Sequence, residues 1–375
     1  MTTINNTIPI ELTELINSVS VNLHAHEWEQ ICALIQPFPE QHMILSTNTP
    51  NNTLILAAKI CGLLGINLNE FKMFTTVNDI YDPERNHGIY THNNKYFYMD
   101  MKRIRYDDYK YMIQILESII YSQRINIGIT HDTMNTSDKI VIIINKFDMV
   151  LHQYLAKFIK YAEILSANVT FIYIGSGIIN YYSRATKLKG LCIVKRCMFT
   201  KLTHGCNIGE QQICDMLYNF TDGDIIKSWI ILQKVNNDLC ANVLLQPLTT
   251  MQLFNTYILP NLPILNSIYE LLILLRETIN NKTYSITPIM NKLYILHSYP
   301  DMNVCRLITM IFKLFAFIHN HDTKNQLYLS QNNIIELNKL CNKFTAMDII
   351  KPYVFNESIL ILRGFITKLL LFLAT

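Results

Sequence analysis

The sequence predicts an α/β fold: a five-stranded parallel sheet with flanking helices, followed by a small helical unit and an all-α carboxyl-terminal region. Three observations carry this. The run Ile140–Ile144 in KIVIIINKFDMV is apolar and branched throughout, then gives way to Asn145, Lys146 and Asp148. Such a run marks a strand buried on both faces of a parallel sheet. Strand-like and helix-like segments alternate from His42 to Met198, as parallel strands joined by crossover helices require. From about Leu202 onward the periodicity is helical throughout.

At 375 residues the chain has room for two or three domains of roughly 100–200 residues. Half of it is apolar, and Gly and Pro number 11 each, so long disordered linkers are not expected. A net charge of +3 gives no strong field for nucleic acid. The nine cysteines form no CxxC pair. Cys192 and Cys197 fall on one expected strand at a spacing that faces them to opposite sides, so reduced thiols of an intracellular protein are expected rather than a metal site. His24 and His26, two apart on a helix, read as a surface pair. The amino terminus, MTTINNTIPIELTEL, has no basic region followed by an apolar one, and no signal peptide is expected. Lys313 interrupts Leu307–Ile318, and Arg363 and Lys368 interrupt Ile359–Ala374. Neither segment offers about 18 uncharged apolar residues, so the tail reads as a buried helix capped at Asn356, and no membrane partner is expected.

In chain order, Leu12–Ile35 reads as helical with a break near Val19–Asn22, and Pro37 and Pro39 stop it. His42–Leu45 is a short strand. Ser46–Thr53, STNTPNNT, is a polar loop, and Leu54–Gly65 is a helix. Lys95–Met101 is a second strand, and Tyr106–Ser122 a helix with Met112, Ile115, Leu116, Ile119 and Ile120 on its apolar side. Asn126–Asp138 loops into the Ile140 strand. Helix Leu151–Leu165, strand Val169–Ile174 closed by Gly175, Ser176 and Gly177, and strand Leu191–Met198 complete the alternation. Helices follow at Gly209–Asn219, Asp224–Val235, Pro263–Thr278, Ile286–Leu296, Met302–His319, Gln331–Phe344 and Asn356–Leu373. In the third of these, Ile264, Ile268, Leu271, Leu272 and Leu275 form one stripe, as in a helix buried in a bundle or against a partner.

Strand, small polar loop, helix is the layout of a phosphate loop. A working loop needs glycines, so that its backbone N–H groups can wrap the phosphates, and a Lys for their charge. Ser46–Thr53 has neither. Pro50 removes a further N–H donor, and Thr53 is the one group left that could help hold Mg²⁺. An ordinary connecting loop is the plainer reading, and residual nucleotide binding the alternative.

The order of the pieces resembles the small subunits of the clamp loader, the replication factor C family of AAA+ proteins. Three matches carry the resemblance. Asp222–Gln233, DGDIIKSWIILQ, is similar to the family's lid segment at Gly223, Asp224, Lys227, Leu232 and Gln233. The block Ile140–Ile174, with Asp148, Lys160 and Glu163, falls at family spacing. Asn94–Gln123 resembles the insert of one small subunit, the eukaryotic counterpart of bacterial delta-prime. The resemblance implies an AAA+ domain over residues 1–200, a helical lid over 201–240 and a helical collar for oligomerisation over 241–375.

Against the family pattern, the loop residues Ser46, Thr49, Asn51, Asn52 and Thr53 form a degenerate nucleotide loop, with Asn52 where the Lys falls. Asn145 and Lys146 stand in the Asp-Glu positions, beside Asp148. Ser176 replaces the γ-phosphate-sensing Asn, and Ile226, near Asp224, replaces the lid Arg. The Arg-finger motif falls at Lys187–Lys189, so Arg184, Lys187 or Lys189 is left to present a cation to a neighbouring subunit, without the bidentate grip of an Arg finger. An Arg finger is worth about 10³–10⁵ in rate, and loss of the carboxylate removes the metal as well. Lys157 and Lys160 are the remaining candidates for a weak DNA contact, each phosphate contact adding about one unit of salt slope. A solvated face is the alternative. The resemblance thus implies a non-catalytic subunit of a heteropentameric clamp loader. It would hold no cofactor or metal and would help load a sliding clamp on primer–template DNA, in a nucleus or at a viral replication site. The alternatives are a divergent active P-loop ATPase, and an interaction or membrane-associated protein on a borrowed AAA+ fold.

Overall fold

The structure is a computed structural model. It describes residues 23–36, 38–74, 88–104, 108–127, 139–150, 152–164, 169–176, 183–201, 208–240, 249–281, 286–298, 304–321, 331–350 and 355–374. The amino-terminal part of the helix expected over Leu12–Ile35, most of the loop Asn126–Asp138, and Gly177 lie outside them. The chain divides into two compact units, Met1–His204 with Asp222–Trp229, and Gly205–Thr221 with Ile230–Thr375.

The first unit is built from α1 (Ala25–Ile35), β1 (Met43–Thr47), α2 (Asn52–Leu63), β2 (Lys72–Met73), β3 (Ile89–His92), β4 (Tyr96–Asp100), α3 (Tyr109–Ile127), β5 (Ile140–Asn145), α4 (His152–Ile164), β6 (Val169–Ser176), α5 (Ser183–Leu191) and β7 (Ile193–Cys197). The strands form one sheet in the order β2-β3-β4-β5-β6-β1-β7. From β4 to β7 every pairing is parallel, so the five expected parallel strands are all present. The sheet nevertheless has seven strands, not five, because β2 and β3 add an antiparallel edge. They are short, and β3 is only half apolar, so the alternation of longer strands and helices does not reveal them. The turn into β4 places Asn93 and Asn94 at φ of 52° and 51°, the paired left-handed residues of a tight hairpin, which Asn tolerates.

The order of the strands fixes the layers. The connection from β1 to β4 runs one way across the sheet, while those from β4 through β5 and β6 to β7 run the other. Right-handed crossovers therefore put α2 on one face and α3, α4 and α5 on the opposite one. The packing agrees. Ile140, Ile142 and Ile144 of β5 join Phe171 and Tyr173 of β6, Met112 and Leu116 of α3, Phe158 of α4 and Leu188 of α5 in a single apolar core. The alternate residues Val141, Ile143 and Asn145 face α2. All of β5 is buried, as the unbroken apolar run requires.

His42 closes the amino-terminal edge of the sheet. Its Nδ1 accepts from Phe171 N–H at 3.0 Å, and its Nε2 lies 3.0 Å from the carbonyl of Ala162. The ring is thereby the neutral tautomer with the proton on Nε2. Burial lowers its pKa, outweighing the carbonyl's opposite effect.

The second unit is helical: α6 (Ile208–Phe220), the greater part of α7 (Ile225–Cys240), α8 (Thr250–Leu253), α9 (Pro263–Asn280), α10 (Thr287–His297), α11 (Val304–His321), α12 (Gln331–Ile350) and α13 (Phe355–Ala374). Thr249 caps α8 in a capping box with Gln252, and a single π turn, Phe254–Ile258, prolongs it. The stripe of α9 is buried at Ile268, Leu271, Leu272 and Leu275, with Leu265 rather than Ile264 completing it. Phe220 and Phe254 pack on Phe317 at ring separations of 5.2 and 4.7 Å. The tail helix buries Leu362, Phe365, Ile366 and Leu369. Among the described residues no helix is long and apolar enough to cross a membrane.

Candidate functional site

Helices on opposite faces follow β1 and β6, which are neighbours in the sheet. Their carboxyl ends therefore flank the crevice where an open α/β sheet takes a ligand. Thr47 and Ser176 are register partners at those ends, and on the next strands Asn145 pairs with Asp100. The loop Asn48–Asn51 leaves β1 here and leads into α2. This is the place where a phosphate loop would work.

The loop is committed to its own chain. Thr47 Oγ1 donates to the carbonyl of Thr49 at 2.8 Å, and that carbonyl also accepts Asn52 N–H at 3.2 Å. Thr53, fully buried, donates its hydroxyl to the carbonyl of Pro50 at 2.8 Å. Asn52, 1% exposed, reaches the turn before α7. Its Nδ2 donates to the carbonyl of Gly223 at 2.8 Å, and its Oδ1 accepts Ile225 N–H at 3.0 Å. Asn51 Nδ2 donates to Asp224 Oδ2 at 2.8 Å. The other oxygen of Asp224 caps α7 by accepting Lys227 N–H at 3.0 Å. Asn48 Nδ2 makes a long contact of 3.5 Å to the carbonyl of Asp222. Among the described residues, bonds within the chain leave Asn48 Oδ1 and Thr49 Oγ1 buried and unmatched. Ser46 lies on the other face of β1 by alternation, away from this loop.

The strand positions are committed in the same way. Asn145 is fully buried. Its Nδ2 donates to Tyr98 Oη at 2.9 Å, and its Oδ1 accepts Lys146 N–H at 3.0 Å. Burial first, then the Asp100 carboxylate, holds the Tyr98 hydroxyl well above its ordinary pKa, so it stays protonated. Lys146 adopts a left-handed φ of 56° as the chain turns out of β5. Asp148 does not sit free at a metal position: its two oxygens take Ser176 N–H at 2.9 Å and Ser176 Oγ at 3.1 Å. The ends of β5 and β6 are thereby tied together. Ile226 is half-buried in the first turn of α7.

The remaining cations lie on α4 and α5. Lys187 pairs with Glu163 at 2.6 Å. Lys157 lies 3.5 Å from Glu117, a carboxylate that also accepts from Tyr161 Oη at 2.7 Å. Lys160 is exposed and Lys189 half-buried. The side chain of Arg184 lies outside the described residues.

A triphosphate site needs a cation at the loop and a carboxylate on the strand. Here both positions are buried neutral amides whose donors and acceptors are used within the chain. These residues do not fit the β- and γ-phosphates of a nucleotide or their Mg²⁺. Sequence reasoning found the two substitutions and singled out Gly223, but missed Asn48, Tyr98 and the pairing of Gly223 with Asn52. Asp222-Gly223 is a turn signal in its own right, and φ of 56° and 72° at the two residues bears it out. What that turn meets was not readable, because Gly223 and Asn52 are 171 positions apart.

No protein-family model matches the chain, and no curated protein matches it. Among solved structures, a DNA polymerase III gamma subunit-related protein from Thermotoga maritima is similar over 91% of this chain and 98% of its own, at 7% identity and a TM-score of 0.37. The DNA clamp loader delta protein of Bacillus subtilis is similar over 92% of this chain and 98% of its own, at 12% identity and a TM-score of 0.26. At these values the likeness is one of fold at most, and what the site does is read from its own geometry.

Proposed function

We propose that this chain is a non-catalytic, clamp-loader-like subunit that acts by contact within a hetero-oligomer rather than by turning over ATP. Its partners would be ATP-binding subunits of a clamp loader, and through them a sliding clamp and primer–template DNA at a site of replication. The observation that carries the reading is the Asn52 amide, which bridges Gly223 and Ile225 where a phosphate-binding Lys would otherwise reach a nucleotide. The held turn, Gly223–Ile225, lies at the start of the lid-like Asp222–Gln233, the part of the sequence that most resembles the replication factor C small subunits. With both charged groups of a nucleotide motor replaced by amides, architecture and surfaces remain as the useful properties of the chain. Lys157 and Lys160 of α4 are weak candidates for a DNA contact, since Lys157 already faces Glu117, and Lys187 of α5, a candidate cation for a neighbouring subunit, already pairs with Glu163.

The test is co-expression of the tagged chain with the clamp-loader subunits of its source. A stoichiometric hetero-oligomer is expected. Recovery of this chain alone, stable and monomeric, would count against the proposal.

A further inference from the structure

We infer that Asn52 is a positioning residue for α7: it fixes the turn before that helix in one setting, whatever nucleotide is present. This rests on reading the loop as nucleotide-free, not on membership in any assembly.

The first backbone N–H groups of a helix have no partner within it. At α7 two of them are satisfied by side chains. Asp224, the residue before the helix, takes Lys227 N–H in the usual local way. Ile225 N–H is taken by Asn52 Oδ1, from the first residue of α2. The same amide donates to the Gly223 carbonyl, two residues upstream of Ile225. One planar group with a donor and an acceptor side by side therefore reads an acceptor and a donor of the turn together. A Lys at this position could donate to Gly223 but could not accept from Ile225. Asn51 adds a second strut through Asp224 Oδ2. Asp222 and Gly223 carry successive left-handed conformations, which persist where the surroundings over-determine them. The loop that would cradle an anion has become the cap of a distant helix.

Amide hydrogen exchange on the full-length chain, with and without millimolar ATP and Mg²⁺, tests this. The peptide covering Asp222–Trp229 is expected to be equally protected in both. Asn52→Ala is expected to raise its exchange about tenfold or more, as loss of a buried bond would, and to leave β5 unchanged. Asn52→Asp, which keeps the acceptor for Ile225 but buries a carboxylate and sets an oxygen against the Gly223 carbonyl, is expected to raise exchange at pH 7 at least as much as Asn52→Ala. Asn51→Ala, at a half-buried position, is expected to give a smaller rise and supplies the readout should Asn52→Ala fail to fold. Nucleotide-dependent protection of this peptide in the wild type, or unchanged exchange in both alanine variants, overturns the inference. Failure to co-purify with other subunits would instead remove the proposed function and leave this tie standing.

Discussion

Asn145→Asp is expected to destabilise the first unit by about 3 kcal/mol at pH 7, the scale of an unpaired buried charge. The residue is fully buried in the sheet, and the change introduces a carboxylate where a P-loop ATPase keeps one. In such an enzyme Mg²⁺ and the loop Lys balance that charge, whereas Asn52 offers no charge at all. Tyr98 Oη can turn to donate to the new carboxylate and recover part of the cost. Lys146 N–H, already a donor to this side chain, recovers a little more. Burial raises the carboxyl's pKa in the folded state above the unfolded value of about 3.9. The variant's penalty is therefore absent below that value and grows as pH rises through the folded pKa. Urea unfolding at pH 4 and pH 7 checks it. A variant as stable as the parent at pH 7, or one restored by Mg²⁺ and ATP, would mean that a cation does reach this position.

His42 gives the second large effect. His42→Ala is expected to cost about 3 kcal/mol, because it strands both Phe171 N–H and the Ala162 carbonyl in the interior, each orphan costing about 1–3 kcal/mol, and leaves a cavity. The parent should also lose stability in mild acid. The folded pKa of His42 is lowered, by burial above all, so between it and the unfolded value of about 6.5 the unfolded chain binds the extra proton. The contribution is complete above about pH 6.5 and is lost as pH falls through the folded pKa. Protonation of Nδ1 would displace the Phe171 N–H that it now accepts. His42→Asn, which retains one donor and one acceptor without a titratable ring, should flatten this slope. Equal slopes for the parent and His42→Asn between pH 7 and pH 5 would show that another group sets it.

The parallel core was legible because β5 and β6 bury both faces and so spell themselves as unbroken apolar runs. The edge strands β2 and β3 were not, being two and four residues long and defined by a partner rather than by a pattern. Helix α5, SRATKLKGL, was missed for a related reason: it offers little apolar periodicity beyond the buried Leu188. At the site, the absence of Gly and Lys from the loop Ser46–Thr53 could be read from identity alone, and these are the residues that phosphate-loop chemistry uses. What replaced that chemistry could not. That Asn52 caps α7, that Asn145 holds Tyr98 and that Asp148 holds Ser176 are all pairings between segments far apart in the chain. Such pairings follow from the order of the strands, not from local pattern.

The most direct measurement is a calorimetric titration of the purified full-length chain with ATP in the presence of Mg²⁺. With Asn52 and Asn145 committed as they are, no saturable heat is expected up to about 1 mM, which is less than about 4 kcal/mol of binding. Micromolar affinity, about 8 kcal/mol, abolished by Thr53→Ala or Asp148→Asn, would contradict it and show that the loop still opens to take a phosphate.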